Sequence, residues 1–197
     1  MDEQRTARVH RATTETDVLV ALTVDGSGRA DVSTGIGFLD HMLELFAHHG
    51  RFDLQVKATG DLDVDGHHTV EDIGLALGQA LAQALGDKRG IRRYGSFLLP
   101  MDEALAMVAL DLSGRPYFVH DLKLSGVRLG EFDADLTAHF LRSLSTQGGI
   151  TLHVRLLAGS DAHHIVEAVF KGVARALAQA CERHGRDDAV PSTKGAL

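Results

Sequence analysis

The chain repeats itself. Gly50-Arg51-Phe52-Asp53-Leu54-Gln55-Val56 aligns with Gly148-Gly149-Ile150-Thr151-Leu152-His153-Val154 at an offset of 98, and the same offset sets His41 opposite His139. After a two-residue shortening the offset becomes 96. It then matches His67, His68 and Glu71 to His163, His164 and Glu167. At that spacing Ala80-Leu81-Ala82-Gln83-Ala84 recurs as Ala176-Leu177-Ala178-Gln179-Ala180. The chain is read as an internal duplication, with a first half over 1–91 and a second over 92–197. A repeated sequence builds one structural unit twice, which constrains the fold more than any single motif does. With 197 residues in all, the two halves together can bury a real core.

Both halves follow one grammar. In the first, strands are predicted over 17–24 and 29–33 around the turn Asp25-Gly26-Ser27-Gly28. A helix over 38–49 is apolar at Phe38, Met42, Leu45 and Phe46, with Gly50 as its C-cap. A strand over 53–59 and a helix over 69–85, apolar at Val70, Ile73, Leu77, Leu81 and Leu85, complete the unit. The second half predicts strands over 97–111 and 117–122, a helix over 133–144, a strand over 150–157 and a helix over 163–184. Strands and helices are grouped rather than strictly alternating. The expected class is therefore α+β, each half a mostly antiparallel or mixed sheet with two helices packed on one face. No Pro- or Ser-rich linker separates the halves, so they should pack together, and 191–195 reads as a loop or tail.

Composition narrows the function. With 44% apolar and 24% charged residues the chain is globular, and no run of about 18 apolar residues is present to span a membrane. A net charge of −7 and a pI near 5.9 argue against a nucleic-acid partner, which would select a basic face. The single cysteine, Cys181, cannot form an internal disulfide, and the polar start Met1-Asp2-Glu3-Gln4-Arg5 shows no apolar signal core. A soluble, cytoplasmic protein is expected.

The 12 histidines carry the chemistry. Four are adjacent pairs inside nearly identical phrases, His67-His68-Thr-Val-Glu71 and His163-His164-Ile-Val-Glu167. One such pair alone would read as a helix cap or a solvated surface pair; a duplicated phrase does not. On a helix His67 and Glu71 share a face, and His68 lies about 100° round but three residues from Glu71, so all three can aim at one region. His163, His164 and Glu167 repeat that arrangement, while His41 and His139 add one imidazole per half. Six imidazoles and two carboxylates, without thiolate, suit Mn, Fe, Co, Ni or Zn and exclude an iron–sulfur cluster or a cysteine zinc site. Eight ligands divide naturally into four for each of two ions, leaving open positions for catalysis. The spacing leaves open which ligands go with which ion. His10, His48, His49, His120, His153 and His184 have no counterpart in the other half and read as ordinary.

At this point the residues resemble a family. Arg11-x-Thr13-x-Glu15-Thr16, Thr34-Gly-Ile-Gly-Phe-Leu-Asp-His41-Met-Leu and Asp65-x-His67-His68-Thr-Val-Glu71-Asp72 are similar to motifs of the imidazoleglycerol-phosphate dehydratases. So are Pro100-Met-Asp102-Glu103-Ala-Leu, Asp111-x-Ser-Gly-Arg115-Pro and Pro191-Ser192-Thr193-Lys194-Gly. The resemblance runs from about Arg8 to the last residue. Asp161 stands where the family pattern has Asn before the second His-His pair, but Asp caps a helix equally well.

The resemblance implies a monofunctional enzyme of histidine biosynthesis that dehydrates imidazole glycerol phosphate to imidazole acetol phosphate. It further implies two Mn²⁺ ions per active site, an assembly of 24 subunits and sites built between subunits. The metal set would be His41, His67, His68, Glu71, His139, His163, His164 and Glu167. Glu15 matches the family position of an acid/base group, and Glu15 with Glu167 is the expected catalytic pair, Glu71 being the other candidate base. Arg93, Arg115, Lys171 and Lys194 match basic positions that would take the phosphate, with Ser192 and Thr193 beside them. Asp102-Glu103 fits two roles equally, organising the site or ending a strand.

The proton to be lost lies on a carbon with no adjacent carbonyl. An imidazole held by both nitrogens between two cations can ionise to imidazolate and then expel the neighbouring hydroxyl, giving a diazafulvene-like intermediate. Two other readings use the same ligands. One is a His-rich metal-binding protein without activity, for which Arg115, Lys171 and the Pro-Ser-Thr-Lys-Gly segment would be superfluous. The other is a di-metal oxygenase, whose Glu-x-x-His phrasing and four-helix bundle the sequence lacks.

Overall fold

The computed structural model describes residues 4–183, 189–193 and 195. The first sheet joins β1 (Thr6–Ala12), β2 (Thr16–Thr23), β3 (Ala30–Ser33) and β4 (Asp53–Gly60) in the order β1-β2-β4-β3. The second joins β5 (Tyr94–Met101), β6 (Ala104–Asp111), β7 (Tyr117–His120) and β10 (Thr151–Ala158) in the matching order β5-β6-β10-β7. In each sheet the last pair is parallel and the others antiparallel. The topology is thus α+β and made twice.

Four helices lie between the sheets: α1 (Gly37–Gly50), α2 (His67–Leu85), α3 (Leu136–Gly148) and α4 (Ala162–Cys181). The helices α1 and α2 pack on the first sheet, α3 and α4 on the second. Across the middle the short helix of each half meets the long helix of the other, α1 on α4 and α2 on α3. Glycine sets the second approach: a Cβ on Gly78 would lie 2.6 Å from the Leu144 carbonyl oxygen and one on Gly74 would lie 2.8 Å from that of Phe140. Leu39, Met42, Leu43, Ile73, Leu77, Phe140, Leu141 and Phe170 fill the helical layers, each fully buried. Burial of such stripes, rather than intrinsic propensity, holds these helices in place.

Several sequence-derived boundaries shift. The stretch 97–111 is two strands, because Asp102 takes a left-handed φ of 48° and turns the chain back on itself. Helix α2 starts at His67, two residues early, and α3 lies some three residues later than 133–144. The C-cap of α1 is Arg51, at φ 57°, rather than Gly50. Helix α4 ends at Cys181, and His184 lies outside the described residues. Strand β1 escapes the sequence pattern because only Val9 of its seven residues is buried. The hairpin of β8 (Arg128–Leu129) and β9 (Phe132–Asp133) is too short to leave one.

Candidate metal centre

Crossing helices between the halves gather His41, His163 and Glu167 into a tight triad and set His67, Glu71 and His139 near one another in a looser one. At the α1–α4 contact His41 Nε2 lies 3.8 Å from Glu167 Oε2, and His163 Nε2 lies 3.2 Å from the same oxygen. Donor atoms of these three residues all fall within 4.8 Å of one another. At the α2–α3 contact the rings of His67 and His139 stand 4.6 Å apart, edge to face, with Glu71 Oε2 3.9 Å from His67 Nε2. A cavity of about 360 Å³ lined by His67, His139, Asp133 and Asp135 opens beside this second triad. Each triad therefore takes the His and Glu of one half's long helix and the lone His of the other half's short helix.

Local structure places each ring. The Thr34 hydroxyl and backbone N–H both donate to Asp40 Oδ1, at 2.6 and 2.8 Å, which ties the first turn of α1 to the preceding loop at the residue before His41. Asp161 caps α4 through the backbone N–H groups of His163 and His164, the role that sequence allows it in place of Asn. Asp65 Oδ1 accepts the N–H of His67 in the same way. Phe38 stands edge-on to the His163 ring, with centroids 5.2 Å apart.

The second histidine of each pair turns elsewhere. Neighbours on a helix diverge by about 100°, and in this fold a carboxylate stands in the divergent direction. His68 Nδ1 bonds Asp61 Oδ2 at 3.0 Å and lies 3.7 Å from Glu15 Oε2. His164 Nδ1 bonds Glu103 Oε2 at 2.7 Å, with Asp102 Oδ2 3.6 Å from its Nε2. Hydrogen bonds to those carboxylates raise both histidines above their ordinary pKa. Glu103 is held down to about 2 by the N–H of Asp161, by His164 and by the N–H of Ser160. So the expectation that all three residues of each phrase aim together holds, within one chain, for two of the three.

Glu167 is the most enclosed ligand, its side chain 8% exposed. Burial pushes its carboxyl up, but Lys171, His163 and His41 together outweigh burial and hold it below the usual range. Lys171 takes Oε1 while the two imidazoles face Oε2. Glu15 is different: about half exposed, on the β1–β2 turn, with no backbone role for its carboxylate among the described residues. That turn is pinned to α2 through buried Asp72, which accepts from Arg11 Nε at 2.7 Å and from the Thr16 hydroxyl. Sequence reading missed Asp72 and Asp61; the family motif printed Asp72 next to Glu71, which was the available signal.

The residues expected at the phosphate divide into groups. Arg93, at φ 71°, is paired through Nε and Nη2 with Asp111 at 2.7 and 3.0 Å, and its Nη1 donates to the Pro191 carbonyl. Ser192 and Thr193 follow directly, half-buried and exposed. Arg115 is exposed on the loop after β6, where its N–H donates to the Ser113 hydroxyl. Lys171 stands apart with Glu167, and Lys194 lies outside the described residues. Backbone N–H of Arg93 bonds the Ala180 carbonyl, nine residues beyond Lys171 on α4 or about 14 Å along the helix.

The donor set fits a divalent cation: two imidazoles and a carboxylate converge, with no thiolate near. Cys181 is buried at the far end of α4, where desolvation pushes its thiol up to about 12. Nitrogen and carboxylate donors of this kind suit Mn, Fe, Co, Ni or Zn.

Comparison with known proteins identifies the family. The model of the imidazoleglycerol-phosphate dehydratase family matches residues 34–177. A curated relative of that name from Acetivibrio thermocellus is 56% identical over 193 residues, covering 98% of this chain and 99% of its own. Another from Roseobacter denitrificans is 58% identical over 194 residues, covering 98% and 100%. The crystal structure of the dehydratase from Staphylococcus aureus is 37% identical with a TM-score of 0.82, covering 90% of this chain and 99% of its own. That from Pyrococcus furiosus, in complex with (S)-C348, is 38% identical with a TM-score of 0.83, covering 96% and 100%. This chain belongs to the imidazoleglycerol-phosphate dehydratase family of hydro-lyases.

Proposed function

We propose that the protein dehydrates imidazole glycerol phosphate to imidazole acetol phosphate, in the cytoplasm, as a step of histidine biosynthesis. The observation that carries this reading is the pair of triads, His41/His163/Glu167 and His67/Glu71/His139. His41, His163 and Glu167, and likewise His67, Glu71 and His139, would each hold one Mn²⁺ ion, which would supply Lewis acidity for ionising the substrate imidazole.

The chain's own groups do the rest. Each triad offers three ligands, and four per ion was the expected division. His68 and His164 face away from the triads of their own chain, so they complete triads of neighbouring copies. The separation of Lys171 from Arg93, Ser192 and Thr193 points the same way: phosphate recognition draws on more than one copy. These features support an assembly with sites between subunits, for which the family resemblance suggests 24 subunits. Glu167 acts as a ligand, its Oε2 facing the imidazoles of both His41 and His163. Glu15 is left as the carboxylate with room to pass the ring N–H proton to the departing hydroxyl, which leaves as water, and then to take the proton from the next carbon and return it to the ring-side carbon as the enol becomes the ketone.

The cheapest test mixes purified protein, Mn²⁺ and imidazole glycerol phosphate and follows the enolisable ketone. Product formation that chelation abolishes and Mn²⁺ restores is expected. Full turnover in metal-free protein, or none in Mn²⁺-loaded protein of the assembled size, overturns the reading.

A further inference from the structure

The Asp102-Glu103 dipeptide and Asp61 were left without a function by the site as described, yet each touches a histidine of the repeated phrase. We propose that Glu103 and Asp61 are positioning residues that grip the Nδ1 atoms of His164 and His68 and thereby present their Nε2 atoms as metal ligands. This rests on the reading above, that His68 and His164 are ligands.

The argument is one of proton placement. An ionised carboxylate only accepts, so a neutral imidazole bonded to it through Nδ1 carries its proton there and keeps a lone pair on Nε2. Metal-bound histidines are commonly oriented in this way by a carboxylate behind them. Glu103 Oε2 takes His164 Nδ1 at 2.7 Å, and Asp61 Oδ2 takes His68 Nδ1 at 3.0 Å. The two histidines are equivalent by duplication; the carboxylates are not. Glu103 lies on the β5–β6 turn, and its counterpart on the β1–β2 turn is Glu15. In the second half the turn carboxylate makes the bond. In the first, Asp61 at the end of β4 makes it, and Glu15 stays 3.7 Å away. The offset of 98 sets Gly159 opposite Asp61, so the second half has no carboxylate at that place. Both copies thus keep a carboxylate behind the second histidine, recruited from different positions, and the exchange leaves Glu15 free for proton transfer.

Glu103 also ties a loop, its Oε1 accepting N–H bonds from Ser160 at 3.0 Å and Asp161 at 2.8 Å. Glu103→Gln separates the two roles. The amide oxygen keeps both loop bonds, which prevents the group from flipping, and the NH₂ replaces Oε2. Nδ1 must then accept, so the proton moves to Nε2 and closes the ligand position.

Binding of Mn²⁺ alone to the assembled protein, followed by the electron paramagnetic resonance of free Mn²⁺, reads the outcome. Glu103→Gln should weaken one class of Mn²⁺ site about ten- to a hundredfold, at an unchanged melting temperature of the metal-free protein. In a His164→Ala background it should add nothing further. Asp61→Ala should behave likewise, its effect vanishing in a His68→Ala background. Wild-type Mn²⁺ affinity in Glu103→Gln and Asp61→Ala overturns the proposal. So does an equal loss with and without the histidine, which would make the carboxylates loop ties only. If His164→Ala and His68→Ala themselves leave Mn²⁺ binding intact, the ligand assignment fails and the proposal fails with it. A silent Glu103→Gln beside a damaging His164→Ala leaves the ligand assignment standing and removes only the positioning role.

Discussion

Lys171 and Glu167 form an ion pair one helical turn apart, with Lys171 on one carboxylate oxygen and two imidazoles on the other. The ammonium occupies part of the charge-neutralising role that a cation on Glu167 would take over. On the proposed reading, a metal bound there would weaken the need for Lys171 and leave it available to an anionic substrate.

Lys171→Met should therefore cost substrate affinity rather than metal. Losing one charge-assisted hydrogen bond to phosphate is worth about 1.5–3 kcal/mol, or roughly ten- to a hundredfold in Kd. Substrate titration and metal analysis of the same preparation check this. Lost Mn²⁺ with retained substrate affinity would place Lys171 in the support of Glu167 instead.

Arg93 and Asp111 are a nearly enclosed pair, 12% and 19% exposed, and Arg93 also anchors the Pro191 segment. Asp111→Ala leaves the guanidinium without its two main acceptors, at a cost of about 2–3 kcal/mol. For a chain of this length that is a fall of roughly 4–12 °C in melting temperature, measurable by calorimetry. An unchanged melting temperature would show that the pair contributes no net stability.

Asp53 gives a pH dependence with a definite sign. The guanidinium of Arg29 and the N–H groups of Ser27 and Arg29 hold its carboxyl well below the ordinary 3.8. A folded value below the unfolded one means that the stabilisation is complete above about pH 4 and is lost as pH falls through the folded value. The gap in melting temperature between wild type and Asp53→Asn should be constant from pH 7 to 5 and narrow below pH 4. A gap that widens in acid would contradict the assignment.

Much of this was legible in the sequence because it is local or repeated. His163 and Glu167 are four residues apart on one helix, and the duplicated phrase marks the equivalent pair. What escaped depends on contacts between distant elements. That His41 joins the second half's His163, and not the first half's His67, follows from α1 crossing α4, a packing choice with no trace in helical periodicity. Glu103 meets His164 across 61 residues and Asp61 meets His68 out of a loop, so neither shows a spacing to read. Arg93 reads as a free cation until its Asp111 partner on the neighbouring strand is seen.

The two triads make the sharpest prediction. His41 belongs to one and His139 to the other, at opposite helix crossings. If the substrate ring must be held by both cations, losing either removes the whole activation. His41→Ala and His139→Ala should each cost several orders of magnitude in kcat, roughly 10³-fold or more, and the double variant should be barely worse than either. Independent sites would give multiplying losses. Metal content and particle size must accompany each rate, since failed assembly would imitate failed catalysis. A correctly assembled His41→Ala or His139→Ala protein that has lost one class of metal yet turns over near the native rate would rule out a shared substrate ring.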